Sequence, residues 1–339
     1  MKTVLLLFGG ESTEHDVSVS SARNVSQAVD AKKFTLIYGY ISRDGTWVHV
    51  EKIDDMLPKN AKQLLPILGK KSFMIEGTDT IIKPDVILPI LHGINGEDGS
   101  VQALAQLLHI PIVGCDTGAS ASAMNKYITK QIAMANDIRV VPFTVHNKAD
   151  AVPSYDLIAD KLSSTLFIKP ASSGSSVGVH KVANQAELEA ALTDAHRYDK
   201  LVLIEKAIDA RELEVAIIGN YPDIESSAVS EIKADGEFYT FESKYDVSSV
   251  SEAIIPAEIS PEIATNLRQT AIRIFHVLGC SGLARVDFFI DKETQDIYLN
   301  EVNTMPGFTN ISVYPKAWEH AGISYSMLVE RLIQLALEA

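Results

Sequence analysis

Four polar residues in the last fifth of the chain are spaced to share one surface. Arg285 and Asp287 stand two apart in the apolar run 283–290, Glu301 and Asn303 two apart in the run 297–303, and the polar stretch 291–296 separates the runs. Residues two apart in a strand project from the same side, so a hairpin here puts all four side chains on one face. If Asp287 lies opposite Glu301, that face gathers two carboxylates, an amide and a guanidinium. Oxygen donors on a rigid sheet suit a hard cation such as Mg2+, which keeps waters and shares substrate phosphate oxygens. Arg285 is then placed to stabilise negative charge on a reacting oxygen. The bland alternative is a solvated face of cross-strand salt bridges. Against it, both runs are otherwise so apolar that their other side must be buried, and Asn300-Glu-Val-Asn-Thr-Met-Pro-Gly307 runs directly into a glycine loop.

Three further stretches have chemical potential. Lys169-Pro-Ala-Ser-Ser-Gly-Ser-Ser-Val-Gly178 is a Ser/Gly loop beside a lysine. Glycine lets backbone N–H groups approach an anion, serine adds donors and Lys169 adds a point charge, so the loop can cradle phosphate; the Gly-Lys-Ser/Thr ending of a Walker loop is missing. A mobile hairpin tip is the alternative. Gly9-Gly10-Glu11-Ser12-Thr13-Glu14 sits between a strand and a helix, where an anion or a dipole-complementing acid is welcome, without the GxGxxG spacing of a dinucleotide fold. His92 ends another strand, at the edge where open α/β sheets bind ligands, although a lone histidine also serves as a satisfied structural residue.

The elements that must position these groups follow from periodicity. Residues 4–8 read as a buried strand, followed by a helix with Val17, Ser21, Val25 and Ala28 on one face and a second strand at 34–41. The run 85–91 is apolar almost throughout, as a strand covered on both faces should be, and the loop 92–99 leads to a helix at 100–108. These elements predict an α/β unit with an open parallel sheet over 1–118. One helix is expected over 119–135. A small α+β module over 119–210 combines a hairpin of 166–169 with 179–182, a helix at 185–195 and a strand at 201–204. The remaining unit, 211–339, holds strands at 213–218, 227–232, 283–290 and 297–303, a helix at 261–278 and a helix from about Ser324.

Composition narrows the function. Asp plus Glu number 44 against 30 Lys plus Arg, a net charge of −14, which argues against sequence-independent binding to nucleic acid or anionic lipid. No run of about 18 apolar residues suggests a membrane span. The opening MKTVLLLFGG has an apolar run of only about six residues that ends in glycines and charge, so it reads as a strand and not as a signal sequence. Cys115 and Cys280, the chain's 2 cysteines, are expected as buried free thiols, without a disulfide framework or a cysteine zinc site. A cytoplasmic enzyme or binding protein is the reading left.

Taken together, Gly9-Gly-Glu-Ser-Thr-Glu-His-Asp-Val-Ser18, Leu91-His-Gly-Ile-Asn-Gly-Glu-Asp-Gly99, the loop 169–178, Glu205-Lys206, the Arg285/Asp287 strand and Asn300-Glu-Val-Asn-Thr-Met-Pro-Gly-Phe-Thr309 resemble the D-alanine:D-alanine ligases of the ATP-grasp superfamily, in the family's order. The resemblance implies three domains with ATP between the second and third, and a homodimer. It implies that ATP phosphorylates the carboxylate of one D-alanine and that the amine of a second attacks the acylphosphate. Carried over by position, Lys126 and Lys169 contact ATP phosphates beneath a loop holding Ser175 and Ser176; Glu205, Lys206 and Ile208 edge the adenine pocket; and Glu212 meets the ribose. Asp287, Glu301 and Asn303 hold two Mg2+ ions, for which Mn2+ can substitute, with Glu301 bridging. Glu14 receives the first substrate's ammonium and His92 lies near its carboxylate. Arg285 and the Gly307 N–H form the oxyanion site, and Ser312 anchors the second substrate's carboxylate. The segment 237–256 resembles the family's active-site lid with Lys244 and Tyr245 at its tip. A tyrosine there, linked to Ser175 and Glu14, implies a D-alanine acceptor, with D-lactate or D-serine as alternatives. One departure is Ala171-Ser172-Ser173, where some members carry Ser-Arg-Glu.

Overall fold

The structure, a computed structural model, describes residues 1–53, 61–174, 177–233 and 252–338. Ser175, Ser176, Lys244, Tyr245 and nearly all of the expected lid lie outside the described residues.

The N-terminal part begins with β1 (Lys2–Gly9), α1 (His15–Ala28) and β2 (Phe34–Ile41), continues through the short strands β3 (Trp47–Val50), β4 (Lys62–Ile67), β5 (Ser72–Ile75) and β6 (Ile81–Ile82), and reaches β7 (Val86–Ile90) and α2 (Ser100–Leu108). Among the described residues its sheet has the order β6-β5-β4-β3-β2-β1-β7. The expected parallel sheet is its β2-β1-β7 end, and from β3 to β6 it continues as an antiparallel meander. Those short strands escape notice because each offers only two to six residues of pattern, too few for a period to emerge. Val4, Leu5, Leu6 and Leu7 are wholly buried, which explains their unbroken apolar run.

The expected helix over 119–135 is two helices, α3 (Thr117–Met124) and α4 (Lys126–Ala135). Asn125 adopts an extended conformation between them, and its side chain accepts a hydrogen bond from the Ile128 N–H, so an N-cap interrupts what looks like one periodic stretch. The break makes Lys126 the first residue of a helix.

The central sheet has the order β10-β9-β11-β8, built from β8 (Phe143–Asn147), β9 (Leu166–Pro170), β10 (His180–Val182) and β11 (Leu201–Lys206), with α5 (Tyr155–Ala159) and α6 (Gln185–Ala195) alongside. The expected hairpin is present, with His180 opposite Ile168. The third sheet, β14-β13-β12-β15-β16, comprises β12 (Ala210–Asn220), β13 (Asp223–Lys233), β14 (Glu252–Ile254), β15 (Gly282–Asp291) and β16 (Ile297–Asn303). Helices α7 (Pro261–Val277), α8 (Val313–His320) and α9 (Tyr325–Glu338) cover it. Tyr314, Trp318, Leu328 and Leu332 pack in one cluster with Val4, Leu6 and Phe8, so the C-terminal helices share a core with the first strand.

Candidate active site

Strands β15 and β16 place Asp287 opposite Glu301 and Arg285 opposite Asn303, beyond a register shift between Asp287 and Phe288. Arg285 binds Asp287 through two hydrogen bonds, Nε to Oδ1 at 2.8 Å and Nη2 to Oδ2 at 2.7 Å, and its Nε lies 3.3 Å from Glu214 Oε2. The Asn303 amide donates to Asp287 Oδ2 at 2.8 Å. Burial works against the guanidinium's charge, but Asp287, Glu214 and Glu301 outweigh it and hold its pKa well above the ordinary value.

Across from this acidic face stand lysines. Lys126 Nζ donates to the Ser173 carbonyl at 2.8 Å and lies 3.3 Å from Glu301 Oε2, and its main-chain N–H bonds to Ala171 O. One helix start thus touches both the Ser/Gly loop and the C-terminal hairpin. Lys169 lies 2.9 Å from Glu205 Oε2 and 5.9 Å from the Phe289 ring centroid. Lys130, one turn beyond Lys126, lies 3.0 Å from Glu205 Oε1. Burial pushes the Glu205 carboxyl up, but the two lysines more than offset this and bring it to about 2. Burial likewise opposes the charge of Lys169, and Glu205 overcomes it, so the ammonium is stabilised.

The N-terminal part supplies the third wall. Glu14 begins the first turn of α1, and its Oε2 lies 3.3 Å from where a Cβ on Gly93 would stand and 3.8 Å from that position on Gly174. Two loops from different sheets therefore converge on one carboxylate. Ser12 Oγ donates to the His92 carbonyl at 2.6 Å and accepts from the Glu14 N–H, joining the two N-terminal loops. His92 is 5% exposed; its Nδ1 bonds to the Met305 carbonyl at 3.0 Å and its Nε2 faces Ser21 Oγ at 3.5 Å. Burial lowers the imidazole's pKa, so the ring is neutral with Nδ1–H as donor and Nε2 as acceptor. Met305 leads to Gly307, where a Cβ would come within 2.7 Å of Ser312 Oγ. Ser312 Oγ accepts from the Thr309 N–H, which leaves Gly307 and Ser312 side by side.

The structure thus brings together Glu14, His92, Lys126, Lys169, Glu205, Arg285, Asp287, Glu301, Asn303, Gly307 and Ser312. Lys206 lies beside Glu205 on β11, Ile208 follows in the link to β12, and Glu212 on β12 stands opposite Phe289. Three residues were not foreseen: Lys130, Glu214 and Glu97. Lys130 was detectable as the residue four after Lys126, and Glu214 as the second of two acids spaced by two, but nothing local marks either as buried. Glu97 accepts from the Gly93 N–H at 2.7 Å and from the Met305 main chain. Burial, with Glu14 and Glu301 nearby, raises its carboxyl to about 8.

For a metal, the donor set is two carboxylates and one amide. Among the described residues no group of three or more His, Cys, Asp or Glu is disposed to hold an ion. A donor set that is all oxygen but small fits Mg2+, which takes few protein ligands and fills its shell with water and phosphate oxygens.

Three sheets with a lysine-rich wall facing an acidic hairpin define the ATP-grasp class of fold. The family models described as D-ala D-ala ligase N-terminus and C-terminus match residues 3–115 and 132–334. A D-alanine--D-alanine ligase of Caldicellulosiruptor bescii is 42% identical, over 99% of this chain and 95% of its own, and one of Geobacillus kaustophilus is 42% identical over 100% and 95%. Among solved structures, the VanG D-Ala:D-Ser ligase of Enterococcus faecalis superposes with a TM-score of 0.89 at 34% identity, covering 99% of each chain. The D-alanine-D-alanine ligase from Coxiella burnetii gives 0.87 at 32%, covering 99% of this chain and 94% of its own. The chain belongs to the D-alanine–D-alanine ligase family.

Proposed function

We propose that the protein joins two D-alanine molecules into D-alanyl-D-alanine at the expense of ATP, through a D-alanyl phosphate, for peptidoglycan precursor synthesis. The observation that carries this reading is the opposition of Lys126 and Lys169 to the Asp287, Glu301 and Asn303 hairpin, with Lys126 touching Glu301. Phosphoryl transfer is mostly positioning and charge neutralisation, and this arrangement offers cations for the phosphate chain beside acids for divalent ions.

In this reading Lys126 and Lys169 hold the phosphates, Glu205, Lys206 and Ile208 edge the base and Glu212 meets the ribose. Asp287, Glu301 and Asn303 hold two Mg2+ ions, which neutralise the phosphate chain when bound. Glu14 takes the first substrate's ammonium, while His92 packs near its carboxylate. Arg285 and the Gly307 N–H stabilise the oxyanion that forms as the second amine attacks, and Ser312 anchors the second carboxylate. Ser175 and Ser176 close on the phosphates, and Lys244 and Tyr245 cap the site from the lid. Domains are taken as 1–118, 119–210 and 211–339. A homodimer rests on the family resemblance. A cytoplasmic location is supported by the need for ATP and by the unpaired Cys115 and Cys280.

D-Serine or D-lactate as acceptor is the second reading, and the likeness to the D-Ala:D-Ser ligase supports D-serine of the two. Pure protein incubated with ATP, Mg2+ and D-alanine alone or with D-lactate or D-serine, followed by mass measurement, separates the readings. D-Alanyl-D-alanine as the main product is expected; a dominant depsipeptide or D-Ala-D-Ser product overturns the acceptor assignment.

A further inference from the structure

Helix α4 carries two lysines, Lys126 and Lys130, four residues apart and hence on one face, yet they go to different places. Lys126 reaches the cleft. Lys130 turns inward: its side chain is 1% exposed, and its Nζ stands 3.0 Å from Glu205 Oε1 and 5.5 Å from the Phe143 ring centroid. The ammonium and that oxygen form a charge pair without the alignment of a hydrogen bond. Lys169 holds the other oxygen of the same carboxylate at 2.9 Å, and its side chain is 14% exposed. Two cations therefore share one buried anion, and only Lys169 opens toward the cleft.

A buried carboxylate cannot be left without a counter-charge except at a cost of several kcal/mol. Were Lys169 the sole cation at Glu205, it would be confined there. Because Lys130 is held in the interior, Glu205 stays compensated whatever Lys169 does. We propose that Lys130 is a positioning residue for nucleotide binding: it keeps Glu205 neutralised so that Lys169 can leave that carboxylate for the phosphate chain of ATP. The inference rests on the placement of Lys169 at the phosphates in the preceding section. At Lys130 burial lowers the pKa, with Lys169 and Lys126 adding to it and Glu205 opposing, whereas at Lys169 Glu205 overcomes burial, with Glu301 and Glu212 adding to it.

Equilibrium binding of Mg2+ with AMP-PNP, and separately of adenosine, tests it in a series of variants. Lys130→Met should weaken AMP-PNP about tenfold, within the range for coupled neighbouring charges, and leave adenosine within about twofold. In a Glu205→Gln background, where no anion remains to trap Lys169, adding Lys130→Met should change AMP-PNP affinity less than about twofold. Half-saturation by D-alanine should not move. Lys130→Gln repeats the series should the methionine variant not fold, with thermal melting as the check. Equal losses in both backgrounds, a matching loss for adenosine, or unchanged AMP-PNP binding in a folded variant overturns the inference. Lys169→Ala separates the two levels. If it does not weaken AMP-PNP, the phosphate placement itself fails; if it does and Lys130→Met is silent, only the role of Lys130 falls.

Discussion

Two charged centres face each other across the cleft, and they are built on opposite plans. At Glu205 a single carboxylate is shared by Lys130 and Lys169, so the cluster carries excess positive charge. At Arg285 a single guanidinium serves Asp287 and Glu214, with Glu301 close by, so the excess is negative. Lys126 spans the gap by its contact with Glu301. Each centre is stable because its minority ion is buried among the majority, and each keeps unspent charge for a ligand of opposite sign. The first suits a polyphosphate and the second suits divalent metal. Neither centre alone could hold a metal–nucleotide complex.

The comparison breaks most visibly at Arg285. Arg285→Ala removes the guanidinium that pairs with both Asp287 and Glu214, and should cost ligation about a thousandfold as well as lowering the melting temperature. Steady-state phosphate release with D-alanine and a thermal melt check both; near-normal turnover would mean that the acidic centre does not need its guanidinium. Asp287→Asn keeps the shape and drops one charge. Turnover should fall about 10- to 100-fold and need more Mg2+ for half-activation, read from a metal titration at saturating ATP. Full activity at limiting Mg2+ would remove Asp287 from the metal site. A milder change is Gly307→Ala, whose new methyl must displace Ser312 Oγ from 2.7 Å; an increase of about tenfold in the D-alanine concentration for half-maximal rate is expected, with that for ATP unchanged.

A last test concerns Glu97, which lies near Glu14 and Glu301. Its folded-state pKa of about 8 exceeds the ordinary carboxylate value. Between about pH 4.5 and 8 the folded protein therefore keeps a proton that the unfolded chain has released, and stability falls as pH rises through that window, by at most about 1.4 kcal/mol per pH unit. Denaturant melts of the metal-free protein at pH 5.5 and 8.5 should show a smaller drop for Glu97→Gln than for the parent. Equal drops would show that Glu97 is ionised throughout.

The hairpin site was legible because its logic is local. Residues two apart share a strand face, so the Arg285/Asp287 and Glu301/Asn303 pairs follow from a stretch of about twenty residues, whereas Asp287 meets Glu301 through a register shift between Asp287 and Phe288 that departs from the pairing set beside the turn. The N-terminal strands, β7 and the central hairpin were legible for the same reason. The meander β3 to β6 was not, nor was the break at Asn125, where a cap outweighed the apolar period. Glu14, His92 and Gly307 could be assigned only by resemblance, since no local rule predicts that a carbonyl at Met305 accepts from a histidine 213 positions earlier.

Residue order along the chain was enough to establish which side chains share a strand face, where the glycine loops fall and which family the chain resembles. Whether Lys130 faces water or Glu205, whether Glu97 holds a proton, and that the first helix ends up beside the loop after the last strand were settled by packing alone. Burial and distance set the energy of a charge, and both are properties of segments brought together from far apart in the chain.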